Sequence, residues 1–165
     1  MDPKNSSEQS NTTVLKALSK PRADAETASL LPFFLSPVAA GFPSPAEDYR
    51  GQDLNLHEFL VHNPAATFFA RACGDSMINV GIQDGDLLVI DRSLPADNGS
   101  VVVAAVSGEL TVKRLVRKDN RVLLAPENDQ FSVLDITGSE DTVVWGVVVH
   151  SIHTLLLRHG GGNGV

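Results

Sequence analysis

Val101-Val102-Val103-Ala104-Ala105-Val106-Ser107-Gly108-Glu109-Leu110-Thr111-Val112-Lys113-Arg114-Leu115-Val116 is the strongest structural signal in the chain. Two runs rich in β-branched residues, Val101 to Val106 and Leu110 to Val116, flank Ser107-Gly108-Glu109, and that combination predicts a β-hairpin. The surrounding sequence continues the pattern. Thr67 to Ala72, Leu87 to Asp91, Arg121 to Ala125, Phe131 to Ile136 and Val143 to Leu157 read as further short strands, punctuated by turns such as the Gly- and Asp-rich Gly81 to Asp86. Many closely spaced strands and little helix predict a mostly antiparallel β fold. A short helix or irregular segment is expected over Leu54 to Val61, ending before Pro64, and at most one helical turn over Gly74 to Ile78.

Upstream of this body the composition changes. Residues 1 to 29 are rich in Ser, Asn, Thr, Lys and Glu, too polar to build a core, and are expected to be disordered with at most a short helical turn around Val14 to Leu18. Leu30 to Phe42 is apolar, but its prolines exclude a long helix, so it is expected to lie extended across the body, held by its apolar side chains. Pro43, Pro45 and Gly51 punctuate the entry to the folded part. Residues 158 to 165 read as a flexible tail.

The 165 residues fit one domain with an appendage. A formal charge of −7 argues against sequence-independent grip on DNA, which needs a clustered Lys/Arg footprint. The one basic cluster, Lys113 to Arg121, falls on a strand and its turn. Cys73 is the single cysteine, so neither an intramolecular disulfide nor a cysteine-built zinc site is available, which fits a reducing cytoplasm. No apolar run approaches the roughly 20 residues that span a bilayer. Leu30 to Ala40 ends in small residues that a signal peptidase would accept, but Asp24, Glu26, Pro32 and Pro37 argue against a secretory signal.

Two residues carry candidate chemistry. Ser76, in Gly74-Asp75-Ser76-Met77, follows a strand and a tight turn, where backbone N–H groups at a helix start could also stabilise an oxyanion. A serine after Gly-Asp is more commonly a turn former or helix cap. The usual base for serine is histidine, but His57 and His62 lie in the early helical segment and His159 in the tail. His150 and His153 lie in or beyond the last strand, without carboxylates at a recognisable metal spacing, so no metal site is expected. A lysine can act instead if burial keeps it neutral. Lys113 shares a strand face with Thr111 and Leu115 and is half-buried by pattern; the ordinary alternative is that it snorkels to the surface.

From Gly41-Phe42-Pro43-Ser44-Pro45-Ala46 to the strand ending at His150, the chain resembles the UmuD-type SOS mutagenesis proteins, relatives of the LexA repressor's C-terminal domain that cleave themselves with a Ser-Lys dyad. The matching pieces are Gly74-Asp75-Ser76-Met77, Gly81-Ile82-Gln83-Asp84-Gly85-Asp86-Leu87-Leu88, Ala104-Ala105-Val106 through Thr111-Val112-Lys113, Pro126-x-Asn128, and Gly146-Val147-Val148-x-His150. The resemblance implies a LexA C-terminal-like compact antiparallel β fold behind an extended, partly disordered N-terminal arm. It also implies Ser76 as nucleophile, Lys113 as general base, the Ser76 and Met77 N–H groups as oxyanion donors, and Ala40-Gly41 as the scissile bond. Residues 1–40 would then be a removable arm and 41–157 the peptidase-like domain.

The same resemblance implies a homodimer, cleavage stimulated by a RecA filament on single-stranded DNA, and a processed form that joins a UmuC-type translesion polymerase. No cofactor is implied. Residues 1 to 15 are additional to the usual arm. They and the rest of the arm lack two consecutive amphipathic helices, so direct operator binding is not expected. Two alternatives stand beside this reading: a non-catalytic regulator of the same fold, and a LexA-like repressor relative. A signal-peptidase-like enzyme would need a membrane anchor.

Overall fold

The structure, a computed structural model, describes residues 16–17, 30–34, 40 and 50–156. Its strands in chain order are β1 (Lys16–Ala17), β2 (Leu30–Phe34), β3 (Arg50–Asn55), β4 (Thr67–Arg71), β5 (Leu87–Asp91), β6 (Val101–Val106), β7 (Glu109–Lys118), β8 (Arg121–Ala125), β9 (Leu134–Asp135) and β10 (Thr142–Ile152). One short helix, α1 (Leu56–Leu60), follows β3, with the Asn55 side chain accepting from the His57 and Glu58 N–H groups at its start. The fold is mostly antiparallel β, as the sequence predicts. Eight strands form one sheet in the order β1-β4-β5-β10-β6-β7-β8-β9, and β2 pairs with β3 in a second.

The hairpin at the centre is tighter than the sequence suggests. Val106 pairs with Glu109, so the turn contains Ser107 and Gly108 alone, with φ of 51° and 84°. Two successive residues in the left-handed region match the twist of the flanking strands, and Glu109 is thereby drawn into β7. The next turn repeats the device with Asp119 and Asn120, residue types that tolerate that backbone region.

β10 lies between β5 and β6 and closes the sheet, pairing with each through a bulge. Alternation along β6 and β7 sends Val103 and Val112 into one apolar cluster with Met77, Leu88 and Ile90. It sends Val102, Ala104 and Leu115 to the other, with Leu124. Lys113, directly opposite Val102, falls on this second face.

Several expectations need correction. Lys16 and Ala17 are not helical: they pair with Arg71 and Ala70 on the edge of β4, where backbone hydrogen bonding to a strand outweighs weak local helix preference. Val14 and Leu18 lie outside the described residues, as do 158–165 and the rest of the polar arm. The strand expected over Phe131 to Ile136 is reduced to Leu134–Asp135, and β10 ends at Ile152, short of Leu157. Leu30 to Phe34 is extended as expected, but Leu30, Leu31 and Phe33 are exposed, so pairing with β3, and not burial of those side chains, holds this segment.

Gly146 sits where the chain has no room for a side chain: a Cβ there would lie 2.7 Å from Ile90 Cγ2 and 3.0 Å from the Asp91 carbonyl oxygen. Backbone cannot retreat as a side chain can. Gly146→Ala is therefore expected to destabilise the chain by about 1–3 kcal/mol, read as a lowered midpoint in urea unfolding at unchanged slope.

Candidate active site

Ser76 and Lys113 are 37 residues apart in sequence, yet the Lys113 Nζ lies 2.8 Å from the Ser76 Oγ. Both are buried, Ser76 completely and Lys113 to 5 % exposure. The same ammonium donates to the Thr111 Oγ1 at 3.1 Å and to the Val112 carbonyl at 2.9 Å. Thr111 sits two residues away on the same face of β7, as strand alternation requires. No carboxylate takes part in these contacts. Burial without a counter-charge disfavours the ammonium, and Lys113 is pushed down from an ordinary value of 10.5 to about 8.

That geometry has a chemical consequence. A neutral amine has two N–H bonds and one lone pair. With Thr111 Oγ1 and the Val112 carbonyl accepting the two hydrogens, the lone pair is left for the Ser76 hydroxyl. The site can thus place a base against a hydroxyl without histidine.

The turn carrying Ser76 is fixed from three sides. On its N-terminal side the Gly74 N–H donates to the Asp84 carboxylate at 2.7 Å, and Gly74 itself has φ of 85°. On its C-terminal side the Met77 carbonyl accepts from the Val80 and Ile82 N–H groups, and the Met77 side chain is buried in the first apolar cluster. The third side is the segment after β8, where the Glu127 N–H donates to the Ser76 carbonyl at 2.8 Å and Asn128 Nδ2 to that of Asp75 at 3.1 Å. The single helical turn expected here is a 3-10 turn at Ile78–Val80, just beyond Met77.

Other sequence candidates are dispersed. Ala40 lies in an exposed bend between β2 and β3, and Gly41 falls outside the described residues. His57 and His62 are exposed, and His159 is outside the described residues. His150 packs its ring against Phe59, with centroids 5.8 Å apart. Among the described residues no group of three or more His, Cys, Asp or Glu side chains could hold a metal ion. Cys73 is a free, exposed thiol.

Sequence reasoning missed Asp86, read only as part of a turn. Its carboxylate is buried and accepts from Ser151 Oγ at 2.8 Å and the Gln83 N–H at 2.9 Å, with His153 Nδ1 2.6 Å away. Burial pushes its pKa up, but the bonds from Gln83, His153 and Ser151 together outweigh this and hold it below the usual carboxylate range. Through the Asp86 carbonyl, which accepts from the Ala72 N–H at 2.8 Å, the end of β10 is joined to the strand that leads into Ser76. The signal in the sequence was a Gly-Asp pair closing a loop, whose partners Ser151 and His153 lie 65 and 67 residues away, a separation that no spacing rule links.

The sequence profile of the family described as Peptidase S24-like matches residues 32–149. Protein MucA of Salmonella typhimurium is 50 % identical over 131 residues, which is 78 % of this chain and 89 % of MucA. Protein ImpA of Escherichia coli is 46 % identical over 124 residues, 74 % of this chain and 83 % of ImpA. The LexA repressor of Hahella chejuensis is 41 % identical over 108 residues; these make up 62 % of this chain but only 51 % of the repressor.

Two outcomes follow from the charges. Because Lys113 is depressed in the folded state, the unfolded chain binds more protons between about pH 8 and 10.5. Stability should therefore rise with pH through that window, by up to about 3 kcal/mol relative to Lys113→Met, which lacks this pH dependence; urea unfolding of both proteins across the window reads the difference. Asp86→Ala, which strips a buried carboxylate from three donors, should cost about 3 kcal/mol at pH 7. Because the Asp86 pKa is lowered by folding, its stabilising contribution should fade as the pH falls through the carboxylate range, so the two proteins converge in acid.

Proposed function

The chain belongs to the Peptidase S24-like family, as a UmuD-type protein of the LexA/UmuD group, and on that premise we propose that it cleaves itself between Ala40 and Gly41. Ser76 is the nucleophile and Lys113 the general base. The observation that carries the reading is the buried 2.8 Å contact between Lys113 Nζ and Ser76 Oγ, on an amine whose burial favours the neutral form.

Neutral Lys113 takes the hydroxyl proton as Ser76 Oγ attacks the Ala40 carbonyl carbon. The resulting oxyanion is stabilised by the Ser76 and Met77 N–H groups. Collapse of this intermediate breaks the Ala40–Gly41 bond, and Lys113 returns the proton to the Gly41 nitrogen as it leaves. The ester between Ser76 and Ala40 is then hydrolysed by a water that Lys113 deprotonates. The products are residues 1–40 and the chain from Gly41 onward. Small side chains at the cut suit close approach of backbone to a buried hydroxyl, and an exposed bend at Ala40 is an accessible substrate segment.

Cleavage would also release β1 and β2, both N-terminal to the cut, from the edges of β4 and β3. In the SOS mutagenesis setting of the UmuD-type proteins, we assign the processed form to a homodimer that serves as a subunit of a UmuC-type translesion polymerase, with a RecA–single-stranded DNA filament promoting the cut. Among the described residues no helix is long and apolar enough to cross a membrane.

Intact-mass measurement of the purified chain at pH 7 and pH 10, with and without RecA filaments and nucleotide, tests the reaction. Release of residues 1–40 is expected, with a rate that rises through about pH 8 as Lys113 loses its proton. Ser76→Ala and Lys113→Ala should each slow it by about a thousandfold or more. A chain that stays intact under every condition would leave the non-catalytic regulator standing, and cleavage that persists in Ser76→Ala would refute the dyad.

A further inference from the structure

The strand that carries Lys113 and the turn that carries Ser76 meet through a third segment. β8 pairs with β7 as far as Ala125, opposite Arg114, and Pro126, which has no N–H to donate, ends the ladder there. The chain then crosses to the nucleophile turn. Within three residues it makes three bonds: Glu127 N–H to the Ser76 carbonyl at 2.8 Å, Asn79 N–H to the Glu127 carbonyl at 2.9 Å, and Asn128 Nδ2 to the Asp75 carbonyl at 3.1 Å.

One side chain ties this segment back to the base strand. The Glu127 carboxylate accepts from Arg114 Nε in a half-buried ion pair. The other arm of that guanidinium donates from Nη1 to the Gly99 carbonyl at 2.6 Å. Arg114 is the residue after Lys113 and points to the opposite face of β7, so it can brace the strand without entering the buried site. A planar guanidinium held at two points leaves Glu127 little freedom.

We propose that Glu127 and Arg114 are positioning residues for the self-cleavage reaction: their ion pair locks the segment that grips Ser76 to the strand that presents Lys113. The inference rests on the Ser76–Lys113 reading given above. Neither residue touches the reacting atoms. Their effect is on the separation of nucleophile and base and on the exclusion of water from the amine, and a misplacement of about 1 Å can cost a hundredfold in rate.

The decisive measurement is the titration of Lys113, followed by NMR of lysine-labelled full chain in wild type, Arg114→Ala, Glu127→Ala and the double variant. Both side chains are partly exposed, so truncation leaves the apolar clusters in place. Wild-type Lys113 should titrate at about 8. Opening the lock admits water to the amine, so both single variants should raise the midpoint by roughly one unit. The double variant should match the singles, because the bond is already lost in each. Charge alone acts differently: loss of the Arg114 cation would raise the lysine, but loss of the Glu127 carboxylate would lower it. Glu127→Ala therefore separates the two accounts, and an unchanged or lowered midpoint in that variant overturns the proposal. Self-cleavage at pH 8 should fall at least about fivefold in both variants, the loss of neutral amine that a one-unit rise implies. Failure of the wild type to cleave would remove the reaction assigned to the dyad, yet the titration would still decide the lock.

Discussion

An amine buried against a hydroxyl, with no carboxylate among the described residues to balance it, is the constraint around which the rest of the molecule is arranged. In water Lys113 would carry its charge and Ser76 would be unremarkable. Desolvation in the second apolar face of the sheet moves the lysine toward neutrality, and Thr111 and the Val112 carbonyl occupy its hydrogens. Below the depressed pKa the folded chain still takes up the proton, but against desolvation, a destabilisation the fold must absorb elsewhere. Extensive burial of Val, Leu and Ile on both faces of the sheet supplies the offset.

Keeping two polar groups together inside such a core needs backbone that cannot drift. The Ser76 turn has no long helix or strand of its own to hold it. It is instead stitched to its surroundings by hydrogen bonds donated by Gly74, Glu127 and Asn128 and by those the Met77 carbonyl accepts. Asp86 extends that stitching to the end of β10, so the buried Asp86 carboxylate and its exposed partners Ser151 and His153 are mechanically continuous with the first cluster. Buried polar groups of this kind are costly when half satisfied and rigid when fully satisfied. No buried side-chain nitrogen or oxygen among the described residues lacks a partner.

The N-terminal segments are held by different physics. β1 and β2 contribute backbone pairing at strand edges, and the side chains of Leu30, Leu31 and Phe33 stay exposed. Attachment through a few edge hydrogen bonds is more easily reversed than attachment through buried apolar side chains. It suits segments that a single cut after Ala40 would separate from the body, whereas a strand built into the core could not be shed without unfolding it.

Much of this was legible in the sequence, and the misses have physical causes. Alternating β-branched residues with Gly- and Asp-rich turns specify strands and hairpins locally, so β4 to β8 fall close to where the pattern puts them. The Gly-Asp-Ser-Met turn and the lysine on a half-apolar strand were likewise visible as residue types in a suggestive order. What pattern could not give was anything set by distance across the fold. The helical preference around Lys16 yielded to a strand edge, and the length of β9 was settled by its neighbours. Asp86 acquired its role from residues more than sixty positions away. The sequence by itself determined which segments would be strands and which side chains could do chemistry, because both follow from local sterics and hydropathy. Tertiary structure alone decided that Ser76 and Lys113 meet, and that the meeting place is dry enough to change the lysine, because desolvation depends on everything packed around a group.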